Sequence, residues 1–239
     1  MKNKEQHDIY EDKFVENLFN RMSKTYGITN YLSSFGFTER WRKQCVDEID
    51  WRKDMNIGYD LMSGMGESWN IILNKSKVKI IGVDISSEMN KKAREKLERN
   101  ENWDIKIRQE NILHNDIKSE TADFVVSTFG IKTFSKAKQQ ILAKEIYRIL
   151  RKGGQISMVE ISEPQGKILN LLFMFYLKVM IPIIGLLFMG NSLDYKMLGI
   201  YCQNFKDCRQ FCDYLKKEGM TVVTQKYFFG CATGVIGYK

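Results

Sequence analysis

Four turns in the chain carry residue types suited to holding a nucleoside. In Asp60-Leu61-Met62-Ser63-Gly64-Met65-Gly66-Glu67 the residues at 63, 64 and 66 are small, so the backbone can approach a ligand where a Cβ would collide. Asp60, just before this loop, is placed to orient it or to receive a positively charged ligand group. A pyrophosphate cradle would continue with a third glycine, and Trp69 stands there instead, which disfavours a dinucleotide. Ile81-Gly82-Val83-Asp84-Ile85 then sets Asp84 about 20 residues past the glycines, the separation at which a carboxylate accepts hydrogen bonds from both ribose hydroxyls. Glu110-Asn111-Ile112 offers an amide that both donates and accepts, as an adenine edge requires. Ser127-Thr128-Phe129-Gly130 completes the set. Each turn alone reads equally well as a polar loop, and the weight lies in their convergence.

Convergence requires elements that bring the turns to one edge. Short apolar runs at Ile57–Leu61, Val78–Ile85, Ile105–Ile107, Phe124–Thr128 and Ile156–Ile161 alternate with helical patterns at 68–75, 87–100 and 136–151. That alternation predicts an α/β fold, a Rossmann-like, mostly parallel sheet with helices on both faces. Ligands of such sheets bind outside the carboxyl ends of the strands, where all four turns fall. Ahead of the sheet, Phe14 to Cys45 shows helical periodicity, a helical preface. Lys152-Gly153-Gly154 is expected to stop the helix ending near Arg151. Phe205–Lys217 is expected to form an amphipathic helix stopped by Gly219. Met220–Phe228 and Ala232–Tyr238 are expected to pair as a closing hairpin. The expected organisation is one domain over 1–239, with preface 1–50, ligand-binding core 51–161, apolar helical insertion 162–203, and closing helix and hairpin 204–239.

With these segments in place the chain resembles the class I S-adenosylmethionine methyltransferases, and among them the ubiquinone/menaquinone biosynthesis C-methyltransferase family. The likeness runs through Tyr26-Gly27-Ile28-Thr29-Asn30-Tyr31-Leu32-Ser33, Phe35-Gly36, Trp41-Arg42, the glycine loop, Gly82-Val83-Asp84, Phe129-Gly130-Ile131-Lys132, Glu145 to Gly154, and Gly237-Tyr238-Lys239, in the family's order. It implies a seven-stranded sheet whose last strand is antiparallel. It also implies S-adenosyl-L-methionine held by Asp60, Ser63, Gly64, Met65, Gly66, Asp84, Ile85, Glu110, Asn111, Ile112 and Thr128. The chain departs from the family pattern at Met65, where a threonine is usual, at Gly27 for aspartate, at Lys132-Thr133 for Arg-Asn, and at Asn191-Ser192 for Asn-Asp. These departures bear on the acceptor more than on the cofactor.

The chain of 239 residues carries 37 Lys and Arg against 29 Asp and Glu, a net charge of +8. Residues 165–239 hold nine basic and four acidic side chains and also the longest apolar run, 168–190. With no Arg-rich tract, this suits an anionic membrane surface better than a nucleic acid. Lys178 and Pro182 oppose a membrane span. The run is expected to form two helices roofing the acceptor pocket and dipping into lipid; a span and ordinary core packing are the alternatives. The amino-terminal stretch lacks the apolar core of a secretion signal, and the five cysteines are unpaired in spacing. Both suggest a cytoplasmic protein, peripheral at the inner face of the membrane, with no metal site.

The reaction implied is transfer of a methyl group to a small lipophilic acceptor, foremost the ring carbon of a demethylated quinol such as demethylmenaquinol. Carbon methylation of such a ring needs a group that removes or shares a phenolic proton. Lys132, by its match to the family's arginine, leads the candidates, followed by Tyr26, His114, Tyr195 and Tyr201. Two rivals stand beside this reading: a methyltransferase for another lipid or specialised metabolite, and a non-catalytic binding protein with a degenerate pocket.

Overall fold

The computed structural model describes residues 8–24, 36–187 and 192–239. The five apolar runs become strands β1 (Ile57–Leu61), β2 (Lys79–Asp84), β3 (Ile105–Gln109), β4 (Ala122–Thr128) and β5 (Leu150–Ile161). All pair in parallel. β4 is buried along almost its whole length instead of alternating, the pattern of a strand covered on both faces. The hairpin adds β6 (Thr221–Tyr227) and β7 (Ala232–Tyr238), and β7 runs antiparallel to both β5 and β6. The order β3-β2-β1-β4-β5-β7-β6 reverses between β1 and β4, so the loops leaving those two strands diverge and open a crevice.

Helices cover both faces. On one side α5 (Lys136–Ile149) and α9 (Arg209–Lys217) bury Leu142, Ile146, Phe211 and Leu215 against the sheet. On the other, α2 (Phe37–Asp47), α3 (Trp69–Leu73) and α4 (Ser87–Glu98) contribute Trp41, Cys45, Trp69, Ile72 and Ala93. The preface supplies α1 (Asp12–Met22) and α2; the segment from Tyr26 to Ser33 falls outside the described residues.

Two local expectations need correction. Gly153 does not stop α5: the helix ends at Ile149, and Leu150 is already extended. Gly153, at φ 75°, instead serves an irregular excursion of β5, whose pairing with β4 jumps from Ala122↔Leu150 to Phe124↔Gln155. Its N–H donates to the Lys239 carbonyl. The amphipathic helix begins at Arg209, because Phe205 closes the preceding helix and Lys206 turns left-handed at φ 67°. Gly219 does stop α9: its N–H donates to the Lys216 carbonyl and Met220 N–H to Leu215, the paired bonds of a Schellman cap.

The apolar run stays helical from Lys167 to Leu187, through α6 (Lys167–Phe175), a π-helical turn at Tyr176–Met180 and α7 (Ile181–Leu187). Pro182 is carried without ending the helix, the widened turn before it accommodating the missing N–H. Among the described residues no helix is long and apolar enough to cross a membrane. The inner face of this run packs Met174, Leu177 and Ile181 onto Leu18 and Met22 of α1 and onto Tyr195, Tyr201 and Cys202 of α8 (Ser192–Phe205).

Candidate active site

β1 ends in a loop held open by backbone conformation. Met62, Gly64 and Gly66 all have positive φ, at 52°, 57° and 74°. A carboxylate on the neighbouring strand fixes the loop: Asp84 Oδ2 accepts the Gly64 N–H at 2.8 Å and Oδ1 accepts the Ser86 N–H at 2.8 Å. Ser86 then caps α4 by accepting the Met89 N–H. Asp84 also lines the cleft. Desolvation pushes the Asp84 carboxyl up to about 6, against the two N–H donors that pull it down.

Gly66 serves a different purpose from the one its position suggests. A Cβ there would lie 2.3 Å from the Trp69 ring, and one on Gly82 would lie 2.6 Å from the same indole. The missing side chains admit Trp69 beneath the loop, and Gly66 does not line the cleft. Trp69 at the place of a third glycine is therefore a packing element, fully buried.

A cleft of about 850 Å³, open to solvent, lies over these turns. Of the expected site residues, Ser63, Gly64, Asp84, Ile85, Glu110, Asn111, Ile112 and Thr128 line it together. Met65, like Gly66, lies behind the loop, its N–H donating to Glu67. The methionine at the family's threonine position leaves the cleft unfilled. Asp60 lies outside the cleft lining, 1% exposed, and among the described residues the otherwise unpartnered Trp69 indole N–H is the donor that acts on its carboxylate. Desolvation first, then the charge of Glu67, pushes it up to about 8, while Arg42 pulls it down.

Asn111 reaches the cleft with its amide engaged. Its Oδ1 accepts the Leu113 N–H at 3.0 Å, and its Nδ2 donates to Asp12 of α1 at 2.7 Å. Asp12 also accepts from Lys138 Nζ. Thus α1 lies over the Asn111 end of the cleft, contributing Val15 and Phe19 to its wall. Two further residues tie it down: Asn20 Oδ1 accepts from the Ser86 hydroxyl and the Glu88 N–H, and Arg21 forms a bidentate pair with Asp194 of α8.

Residue reading alone missed Arg42, Glu67 and Asp12 as lining residues. Arg42 is 3% exposed, donating to Thr128 Oγ1 at 3.3 Å and to Glu39 at 2.6 Å, with its guanidinium above the Phe129 ring. A signal existed: Thr38, Trp41, Arg42, Cys45 and Val46 are the buried positions of α2, so a charge sits within an apolar helical stripe.

The expected catalytic candidates scatter. The Lys132 ammonium lies outside the cleft lining, in a buried ion pair with Glu160 Oε1 at 2.7 Å and bonded to the Phe129 carbonyl at 2.9 Å. His114 is exposed on the loop beyond Asn111, away from the cleft. Tyr195 and Tyr201 are buried in the apolar layer between α1, α8 and the 167–187 helix, where the Tyr201 hydroxyl donates to the Ile9 carbonyl. Tyr26 falls outside the described residues.

The fold, the glycine loop and the acidic strand end have the same order as in one family, whose model, described as the ubiE/COQ5 methyltransferase family, matches residues 4–239. The chain belongs to that family. It is thus a methyltransferase, an enzyme. Relatives called demethylmenaquinone methyltransferase are 28% identical in Lactiplantibacillus plantarum, over 94% of this chain and 95% of that protein. The one from Thermotoga maritima is 29% identical, over 94% and 96%. Among solved structures, an S-adenosylmethionine-dependent methyltransferase from Thermotoga maritima superposes with a TM-score of 0.63 at 18% identity, covering 93% of this chain and 98% of that one. The phosphoethanolamine N-methyltransferase 2 of Haemonchus contortus, in complex with S-adenosyl-L-methionine, gives 0.61 at 17% identity over 92% of this chain and 44% of that one. At such identities these structures speak for the fold.

Proposed function

We propose that this family member methylates a ring carbon of a demethylated quinol, demethylmenaquinol foremost, with S-adenosyl-L-methionine as donor. The observation that carries the reading is the cleft itself: a cation, Arg42, and a carboxylate at a strand end, Asp84, line one crevice, with the buried Asp60 outside its lining near the end of β1. Asp60 fits the ammonium of the amino-acid part, Arg42 its carboxylate, and Asp84 the ribose hydroxyls. Ile85, Met89 and Ile112, with Val15 and Phe19 of α1, offer the flat apolar slot that adenine needs, and Glu110 and Asn111 its polar edge. Ser63, Gly64 and Thr128 line the intervening wall, while Met65 and Gly66 shape the loop from behind. Once bound, the cofactor supplies an electrophilic methyl group on sulfur.

What the chain's own residues do is hold and align. Phe129 and Phe134 wall the cleft beside Tyr10 and Phe19, a lining suited to a planar lipophilic ring. The paired Lys132 is a positioning residue: Glu160 and the Phe129 carbonyl fix it, and through it the turn at Phe129-Gly130 that borders the acceptor side. Tyr26 remains the candidate for handling the phenolic proton, His114 lying away from the cleft. The acceptor is a small molecule, with no nucleic acid partner, and the enzyme works in the cytoplasm at the inner face of the membrane. The whole chain acts as one domain, with the preface, core, insertion and closing hairpin as its parts.

The deciding experiment incubates the protein with isotopically labelled S-adenosyl-L-methionine and either reduced demethylmenaquinone or an unrelated phenol, followed by product mass analysis. Label in the quinone ring is expected. Turnover of the phenol alone overturns the acceptor, and absence of saturable cofactor binding overturns the enzyme.

A further inference from the structure

The helical run from Lys167 to Leu187 is apolar on both sides. Its inner side is buried, yet Ile168, Leu171, Phe175, Val179, Ile183 and Leu186 recur at three- and four-residue intervals on the outside, with Ile168 78% and Leu171 71% exposed. A helix apolar all round is ordinarily covered on every side, and an exposed apolar patch of this extent marks an interaction surface.

A second piece of chain reaches the same end of the helix. The turn between β6 and β7 carries Phe228 and Phe229 with positive φ, and Phe229 is 82% exposed. This turn abuts the lead-in to α6: a Cβ on Gly230 would lie 3.6 Å from Pro164 Cα, and Lys226 Nζ donates to Gln165 Oε1 at 3.2 Å. Two aromatic rings thus stand beside the start of the apolar helix face.

The charges on the helix itself are of one sign, while Glu163 and Asp207 stand with Lys226 at the aromatic turn. From Pro164 to Leu193 the sequence holds no Asp or Glu, while Lys167 opens the helix and Lys178 sits within it. Lys226 adds a third cation at the aromatic turn. A second copy of the chain, related by a two-fold axis, would bring these lysines together against their own images. An anionic bilayer accepts them, each lysine favouring the surface, while the apolar side chains enter the acyl boundary.

We propose that the outer face of the 167–187 helix and the Phe228-Phe229 turn form one docking surface for an anionic lipid bilayer. The surface deepens the reading of a lipophilic acceptor, resting on it for purpose and not for geometry. None of the described residues of the insertion lines the cleft, so, contrary to expectation, the helices do not roof the pocket; the surface serves to bring the enzyme to the lipid that dissolves the acceptor.

Flotation of the full chain with vesicles of phosphatidylglycerol in phosphatidylcholine, against vesicles of phosphatidylcholine alone, tests it. Partition onto the anionic vesicles is expected to be at least about tenfold stronger. Leu171→Ser/Phe175→Ser, both on the outer face, should weaken it at least about tenfold with cofactor affinity unchanged. Phe229→Ser should weaken it as well, and Lys167→Gln/Lys226→Gln should remove the preference for anionic lipid. Absence of vesicle binding, equal binding to both compositions, or a dimer in sedimentation that Leu171→Ser/Phe175→Ser dissociates would overturn the proposal. Turnover of a short-chain, water-soluble quinol keeps the two readings apart. Turnover without flotation loses the surface and keeps the acceptor; flotation without turnover does the reverse.

Discussion

Asp60 is a carboxylate kept out of water with only the Trp69 indole as a donor, and its titration should be visible in the stability of the protein. An unfolded aspartate releases its proton near 4, whereas here the carboxyl is pushed up to about 8. The unfolded chain therefore binds fewer protons between those values, and stability falls as pH rises across that window. Asp84, pushed up to about 6, adds to the lower part of it. Urea unfolding of the cofactor-free protein should show stability decreasing from acid toward pH 8, and Asp60→Asn should flatten the slope above 6. The same substitution should weaken S-adenosyl-L-methionine binding by about tenfold, the value of one lost charge-assisted hydrogen bond. The buried pair makes a second prediction. Lys132→Met leaves Glu160 charged and unpaired and should cost about 3–5 kcal/mol; Lys132→Met/Glu160→Gln should recover much of that in chemical denaturation. Methyl transfer by the refolded double variant is expected to persist, and its loss would return Lys132 to the reaction.

At the level of elements, α1 decides access. Its ties at the Asn111 end of the cleft are polar and partly solvated, the Lys138–Asp12 pair being 25% and 42% exposed, while Leu18 and Met22 pack it onto the 167–187 helix and α8. Such pairs contribute about 0–1 kcal/mol each, so the helix can lift without unfolding the sheet. Asp12→Ala removes the partner of both Asn111 and Lys138. Hydrogen exchange of the α1 amides should then quicken several-fold, with the β4 and β5 amides unchanged. Cofactor association should also quicken, because Asn111 no longer has to exchange Asp12 for a ligand. Unchanged exchange in α1 would show that its apolar contacts with Met174, Leu177 and Tyr201, not these polar ties, hold it closed.

For the molecule as a whole, ligand and fold are linked through the crevice between β1 and β4. At a free cofactor concentration a hundredfold above Kd, binding should stabilise the protein by about 2.7 kcal/mol, a rise in Tm on the order of 5–10 °C for a chain of this size. Asp84→Ala, which frees both the ribose site and the Gly64 loop, should abolish the rise in a thermal melt. Much of this architecture was legible beforehand, because burial on both faces writes a strand such as β4 as an unbroken apolar run and the alternation with helices leaves few topologies. The parallel core, the closing hairpin and the convergence of the turns after β1 to β4 could be read along the chain, since strand direction alone sends those turns to one edge. What each polar group meets there emerged from packing in three dimensions: Trp69 filling the space under Gly66, Glu160 claiming Lys132, Asp12 reaching Asn111, and Arg42 entering the cleft. Those pairings join residues from 3 to 99 positions apart, and local periodicity carries no information about which distant partner will satisfy a buried charge.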